Sequence, residues 1–184
     1  MTTITPDDTL LGLLAFRPQH GYQLLDVFRD PAQLGCVWNL SASQLYAVLK
    51  RLDTQGYIQG EEVTTPDAPP RTEYSLTESG YERLKAWLND PNPSPSVRRV
   101  RVEFLSRLFI ARLLNLPTLD LIRWQKAACH QKRAELVAQR ETAQPGIGFL
   151  ALDLQIAQLD AILNWIDRCE LTPRETEDSC DQDS

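Results

Sequence analysis

The hydrophobic pattern centres on one helix between residues 41 and 56. Four apolar residues recur there at steps of three and four, which predicts one buried helical face. They are Leu45, Val48, Leu49 and Leu52. Ser41 is the expected N-cap, Gln44 is its capping-box partner three residues later, and Gly56 is the expected C-terminal glycine.

The opposite face of this helix is polar and cationic. Small and amide side chains come first, and an aromatic hydroxyl and two cations follow. A helix that enters the DNA major groove needs small or amide side chains near bases and cations near phosphates. The alternative is the surface helix of an ordinary helical domain. The candidate DNA-binding residues are Ser41, Ser43, Gln44, Tyr46, Ala47, Lys50 and Arg51.

The flanking segments favour DNA binding. Residues 57–76 predict a hairpin of two strands around a proline-rich turn at 64–70, with a basic residue at its tip. Before the central helix, residues 8–16 and 22–29 predict two short supporting helices. A helix followed by such a hairpin is the winged helix-turn-helix plan.

Three motifs follow one another at fixed spacing. They are His20-Gly21-Tyr22, then Leu45-Tyr46-x-x-Leu49-x-x-Leu52-x-x-x-Gly56-Tyr57-Ile58, then Arg71-x-x-Tyr74-x-Leu76-Thr77-x-x-Gly80. Together they resemble the N-terminal domain of PadR-type transcriptional regulators, over roughly residues 8 to 90. The resemblance implies a dimeric, DNA-binding regulator, often a repressor, sometimes responsive to a small molecule. It also implies that Tyr46 and Arg71 lie at the DNA, whereas we expect Tyr22 mainly to support helix packing.

The second half of the chain is helical. Three prolines in 91–96 predict an extended linker, and helices are expected over 97–115, 119–143 and 148–171. The last helix has a seam typical of a coiled coil and a second apolar stripe beside it. The seam residues are Phe149, Leu152, Ile156, Leu159, Leu163 and Ile166. Because two helices carry two stripes, a homodimer is favoured over a compact monomeric bundle.

These patterns predict a mainly α protein with a small β-hairpin wing. The expected domains are a winged helix-turn-helix domain at 1–90, a linker at 91–96, a helical dimerisation domain at 97–171 and an acidic disordered tail at 172–184.

Charge is unevenly distributed. The formal net charge is −6, and residues 1–90 hold 7 basic and 12 acidic residues, whereas 91–140 hold 10 and 3. An acidic reading domain has few cations for phosphates, so we expect weak binding per subunit and reliance on a dimer. The acidic composition also leaves open an alternative, a winged-helix module that binds a protein partner or senses a small molecule without binding DNA tightly.

Known catalytic and cofactor motifs do not occur in the sequence. We therefore expect no enzyme, no cofactor and no metal site. The adjacent Cys129 and His130 point in different directions on a helix, and a metal bound by them and Cys169 would require tertiary convergence. No apolar run is expected to span a membrane, and the N-terminus lacks a basic region, so a cytoplasmic location is predicted.

A small aromatic effector is a further possibility. Trp124 and Trp165 lie on helices expected near the dimer interface, where some PadR-type relatives hold flat aromatic ligands. The alternative is that both tryptophans serve packing only.

Overall fold

The computed structural model describes residues 4–65 and 68–171. The predicted acidic tail lies outside these residues. The elements are α1 (Asp7–Phe16), β1 (Gln19–His20), α2 (Gly21–Arg29), α3 (Ala42–Thr54), β2 (Ile58–Thr65), β3 (Ala68–Leu76), α4 (Glu78–Leu88), α5 (Val97–Arg99), a π-helical segment (Val100–Phe104), α6 (Leu105–Leu113), α7 (Leu119–Thr142) and α8 (Ile147–Leu171). The predicted fold class, mainly α with a small β-hairpin wing, is confirmed.

Helix α3 begins and ends where the sequence predicts. The Ser41 Oγ accepts a hydrogen bond from the Gln44 backbone N–H at 3.2 Å, and the Gln44 Oε1 accepts one from the Ser41 N–H at 2.9 Å. After the helix, Gly56 adopts φ +74°, which a residue with a Cβ rarely adopts. Local capping chemistry therefore fixes both ends of α3.

The wing is longer than predicted. Strands β2 and β3 pair from Ile58↔Leu76 to Thr65↔Ala68, so both strands extend into the predicted turn at 64–70. Residues 66 and 67 lie outside the described residues. Proline is compatible with this part of β3 because β1 pairs with β3 only at residues 73 and 74. The short strand β1, which the sequence did not predict, completes a sheet of order β1-β3-β2.

The core of the winged helix includes a residue from beyond the predicted linker. Helices α1 to α4 bury their leucines together, and Ile110 of α6 is fully buried in the same cluster. A Cβ added at Gly12 of α1 would lie 2.4 Å from an Ile110 methyl group, so glycine permits this close packing. The Trp38 indole N–H also donates to the buried Ser106 Oγ at 2.9 Å.

The described residues form two compact units, one ending at Ala128 and one beginning at Cys129. The first unit thus includes α5 and α6. The domain boundary predicted at 91–96 stays a prediction. The first compact unit continues past this boundary to Ala128.

In the second unit, the end of α7 runs antiparallel to α8. Arg133 is paired with Asp160, and Arg140 donates to Asp153 at 2.7 Å. Four of the six seam residues, Ile156, Leu159, Leu163 and Ile166, are at most 7% exposed within one chain. The opposite side of α8 presents an exposed apolar stripe of Ile147, Leu150 and Leu154, which are 85%, 61% and 59% exposed.

Residues Ile147–Cys169 of α8 are long and apolar enough to cross a membrane, by length and composition only. The sequence pattern had predicted no such segment. Asp153 and Asp160, each paired with an arginine of α7, would be costly in hydrocarbon.

Candidate DNA interface

The outer face of α3 is exposed along its length. Ser43, Gln44, Tyr46, Ala47 and Lys50 are all exposed, whereas the apolar stripe beneath them is at most 7% exposed. The buried stripe anchors the helix, so its polar side chains are held on a rigid element. This arrangement suits a helix that enters a major groove.

Gln44 has two tasks within this face. Its Oε1 is used by the capping box, while its side-chain NH₂ has no partner within the described part of the chain. The amide can therefore donate a hydrogen bond to a base while its oxygen stays bound to the Ser41 N–H. Ser41 itself is exposed and acts as the cap.

Tyr46 lies against the backbone of Gly21. A Cβ at Gly21 would lie 2.5 Å from the Tyr46 ring, so only glycine leaves room for the ring in this position. The Tyr46 side chain is still 46% exposed. The glycine of the His20-Gly21-Tyr22 motif thus positions Tyr46, which sequence reasoning did not anticipate.

Arg51 has an acidic partner within the chain, which the sequence did not predict. Its guanidinium forms an ion pair with the carboxylate of Asp7, which is only 10% exposed. Arg83 reaches the other Asp7 oxygen at 3.5 Å and Asp8 at 2.7 Å. Much of the Arg51 charge is therefore compensated within the chain, which reduces its value as a phosphate contact.

Arg71, which lies opposite Val63 in the wing, is held by a stack of rings from the start of α2. Its guanidinium carbon lies 5.6 Å from the centre of the Tyr22 ring, and its Nη1 donates to the Tyr22 hydroxyl at 3.3 Å. The Tyr22 and His20 rings stack at 5.6 Å between centroids. Tyr22 is 44% exposed and therefore orients the wing arginine, rather than mainly supporting helix packing as predicted. Since Gly21 touches Tyr46 and Tyr22 touches Arg71, one short segment connects the two predicted DNA-binding positions.

A cavity of about 520 Å³ lies along one side of α3. Gln44, Ala47 and Arg51 of α3 line it. Arg98 of α5 and Arg101 of the π-helical segment line it as well. Both of these arginines are exposed. From the sequence, the basic run Arg98-Arg99-x-Arg101 could lie near the DNA backbone, but a solvated helix start was the favoured interpretation.

Two other cavities lie in the first unit. Trp124 lines an apolar one of about 460 Å³, together with leucines of α4, of α7 and of the segment that joins α6 to α7. A polar one of about 420 Å³ contains Trp38, Trp87, Arg107 and Gln125. Trp165, the second predicted effector residue, lies half-buried on α8 in the second unit.

Arg107 in the polar cavity is 5% exposed, and burial lowers the pKa of its guanidinium. Its Nη2 donates to the carbonyl oxygens of Leu88 and Asp90, at 3.0 and 2.8 Å. Its Nε has no hydrogen-bond partner among the described residues.

Comparison with known proteins identifies the family. The sequence profile of the transcriptional regulator PadR-like family matches residues 10–86. The negative transcriptional regulator PadR of Bacillus subtilis (strain 168) is 31% identical over 133 residues, which cover 72% of this chain and 71% of that protein. The chain belongs to the PadR-like family of transcriptional regulators.

Solved structures of PadR proteins are also similar to the chain. Bacillus subtilis PadR in complex with operator DNA has 23% identity and a TM-score of 0.48, with coverage of 92% of this chain and 98% of that one. The same protein in complex with p-coumaric acid has 24% identity and a TM-score of 0.42, with coverage of 89% and 92%. Membership of the PadR-like family favours a transcriptional regulator over the protein-interaction module that the acidic composition left open.

Proposed function

We propose that the chain is a homodimeric repressor that binds a pseudo-palindromic operator through α3 and the wing. One observation carries this proposal. All the predicted DNA-binding residues of α3 are exposed on its polar face, while its apolar face is buried in the core. A rigid helix with small and amide side chains toward solvent is suited to reading base edges.

The side chains divide into base-facing and phosphate-facing groups. Ser43, Gln44 and Ala47 face bases, with the Gln44 NH₂ as the donor and Ala47 as the small contact. Tyr46 and Lys50 bind phosphates from α3, and Arg71 does so from the wing, where Tyr22 orients it. Ser41 acts through the N-terminus of α3, and Arg51 contributes mainly by holding α3 to α1.

The exposed stripe of α8 is the proposed dimer interface. Ile147, Leu150 and Leu154 would otherwise remain in water, and burying such side chains is favourable. The predicted seam residues, which are mostly buried within one chain, support α8 from its other side. Phe149 and Leu152 are half-buried and lie on the seam side of α8, toward its N-terminal end. The dimer acts in the cytoplasm without a cofactor.

Control by a small molecule is a second proposed function. The observation that favours it is the buried Arg107, whose Nε is unsatisfied beside Trp38 and Trp87 in a cavity of about 420 Å³. A buried cation with a free donor suits a carboxylate, and two indoles suit a flat ring. The Trp124 cavity and Trp165 remain the predicted alternative sites for an aromatic effector.

The decisive experiment is a salt titration of DNA binding. The protein is mixed with duplex DNA from upstream of its own gene and, separately, with a scrambled duplex of the same composition. We expect tighter binding to the upstream duplex and a linear fall of log K with log salt concentration. Absence of binding to both duplexes at low salt would refute DNA binding through α3. Equal affinity for both would refute self-repression and direct the search to another operator.

A further inference from the structure

We propose that Arg98 and Arg101 form part of the DNA interface and bind the phosphates on the opposite side of the major groove from Tyr46 and Lys50. This inference rests on the proposed docking of α3 and extends it to a segment beyond the winged-helix motif.

The first observation is the position of the two arginines. They line the same cavity as Gln44, Ala47 and Arg51, so they lie beside the face of α3 that is proposed to read bases. The buried Val102 lines this cavity as well and anchors the segment that carries the arginines. The hydrogen bond from the Trp38 indole to Ser106 joins the same helical stretch to the chain that leads into α3.

The second observation is the geometry of α3. The side of α3 that faces the arginines carries residues 44, 48 and 51, at the spacing of one helical face, with Ala47 at its edge. Tyr46 and Lys50, four residues apart, occupy a different face, and Ala47 and Ser43 lie between the two faces. When the strip with Ser43 and Ala47 faces the bases, cations lie on both flanks of the helix. The two phosphate strands that border a major groove occupy the same two flanks.

The third observation is charge. Arg51, Arg83 and Arg99 are each paired with a carboxylate, Arg99 with Glu103 at 2.6 Å. Arg98 and Arg101 are exposed and have no carboxylate within ion-pair distance in the described ranges 4–65 and 68–171. They stand three residues apart on one helical stretch, where like charges repel. A phosphate strand between or beside them removes this repulsion and supplies the missing anion.

Arg98 and Arg101 also add positive charge that the first 90 residues lack. That segment carries a formal charge of −5, and its Arg51 and Arg83 are paired internally. Two unpaired arginines beside α3 raise the local potential within one Debye length of the groove-facing residues.

The test compares two double variants in the full-length protein. In Arg98→Gln/Arg101→Gln the proposed contacts are removed. In Arg112→Gln/Arg123→Gln the same charge is removed from two exposed arginines that do not line the cavity. Circular dichroism and thermal unfolding establish that both variants fold. Affinity for the upstream duplex and for the scrambled duplex is then measured against salt concentration.

We expect the first variant to lose affinity for both duplexes by a similar factor, about tenfold or more at physiological salt. Its log–log salt slope should decrease by about 3 to 4, because a dimer loses four phosphate contacts at roughly 0.9 each. The Arg112/Arg123 variant should keep the wild-type slope within about 1. Arg98→Lys/Arg101→Lys should restore most of the slope, since lysine keeps the charge.

Two results would overturn the inference. One is a log–log salt slope in Arg98→Gln/Arg101→Gln that equals the slope of the wild-type protein. The other is a loss confined to the upstream duplex with the slope intact, which would mean that the arginines act through the shape of α3. Failure of the wild-type protein to bind either duplex would instead overturn the proposed function itself.

Discussion

The guanidinium of Arg51 on α3 is ion-paired with the nearly buried carboxylate of Asp7 at the start of α1. The neighbouring Lys50 is exposed and has no such partner among the described residues. Two adjacent cations of one helix therefore have different tasks: Arg51 fixes α3 to the core, and Lys50 remains available to DNA.

This difference can be measured with alanine variants. Arg51→Ala should lower the free energy of unfolding by about 1–2 kcal/mol, because among the described residues it leaves Asp7 with the longer contact to Arg83 as its ion pair. Lys50→Ala should leave stability within about 0.5 kcal/mol of wild type but decrease the DNA salt slope by about 2 per dimer. Urea unfolding and fluorescence anisotropy provide the two readouts. Equal stability of both variants would show that the Arg51–Asp7 pair does not hold α3.

Gln44→Glu separates capping from base reading. Glutamate at this capping-box position can still accept from the Ser41 N–H, so stability should change by less than about 0.5 kcal/mol. The side-chain donor is lost, and binding to the upstream duplex should weaken by about 1–3 kcal/mol. The control is Gln55→Glu, which adds the same charge at the exposed C-terminal end of α3. If both variants weakened binding equally, general repulsion rather than base contact would explain the loss.

Tyr22 should act on DNA through Arg71. Replacing Tyr22 by leucine removes the ring over which the guanidinium lies and the hydroxyl that accepts its hydrogen bond. We expect a loss of affinity of about 0.5–1 kcal/mol, similar to that of Arg71→Ala, and little further loss in the double variant. Tyr22→Phe keeps the ring and should lose less. Fully additive losses in the double-mutant cycle would contradict a shared role.

The exposed stripe of α8 should control the oligomeric state. Leu154→Glu places a charge where the proposed interface excludes water, so sedimentation should show monomers at concentrations where wild type is dimeric. Gln155→Glu is the matched control, since the next residue points to another side of the helix and is already polar. A dimer that survives Leu154→Glu would place the interface elsewhere.

Gly21 should be required for the position of Tyr46. Gly21→Ala brings a methyl group to within 2.5 Å of the Tyr46 ring, so the ring must move. Affinity for both duplexes should fall as it does in Tyr46→Ala, by about 1.5–3 kcal/mol for a lost hydrogen bond to a charged phosphate. Anisotropy titrations of both single variants and of the combined one would test this, and wild-type affinity of Gly21→Ala would refute it.

The sequence predicts those features of the fold that depend on residues close together in the chain. The limits of α3 depend on Ser41, Gln44 and Gly56, which are close neighbours in the chain, and the structure confirms all three. The partner of Arg51 is 44 residues away and could not be inferred from spacing.

In the candidate site, too, the sequence predicts local features but not tertiary contacts. The exposed residues of α3 follow from helical periodicity and are exposed as expected. The approach of Arg98 and Arg101 to α3 depends on how α6 packs against α1 through Ile110 and Gly12, a tertiary contact with no local pattern. The seam of α8 was visible as periodicity, but periodicity alone does not tell which of two apolar stripes is covered within the chain.

Trp38 lines both the polar cavity with Arg107 and the arginine-lined cavity beside α3. Its indole is held by Ser106 and meets the Phe28 ring edge-on at 6.2 Å between centroids. A molecule that fills one cavity and displaces this indole changes the shape of the other. The fluorescence emission of Trp38 depends on the water and charge around its indole. This emission should therefore change when either cavity is filled.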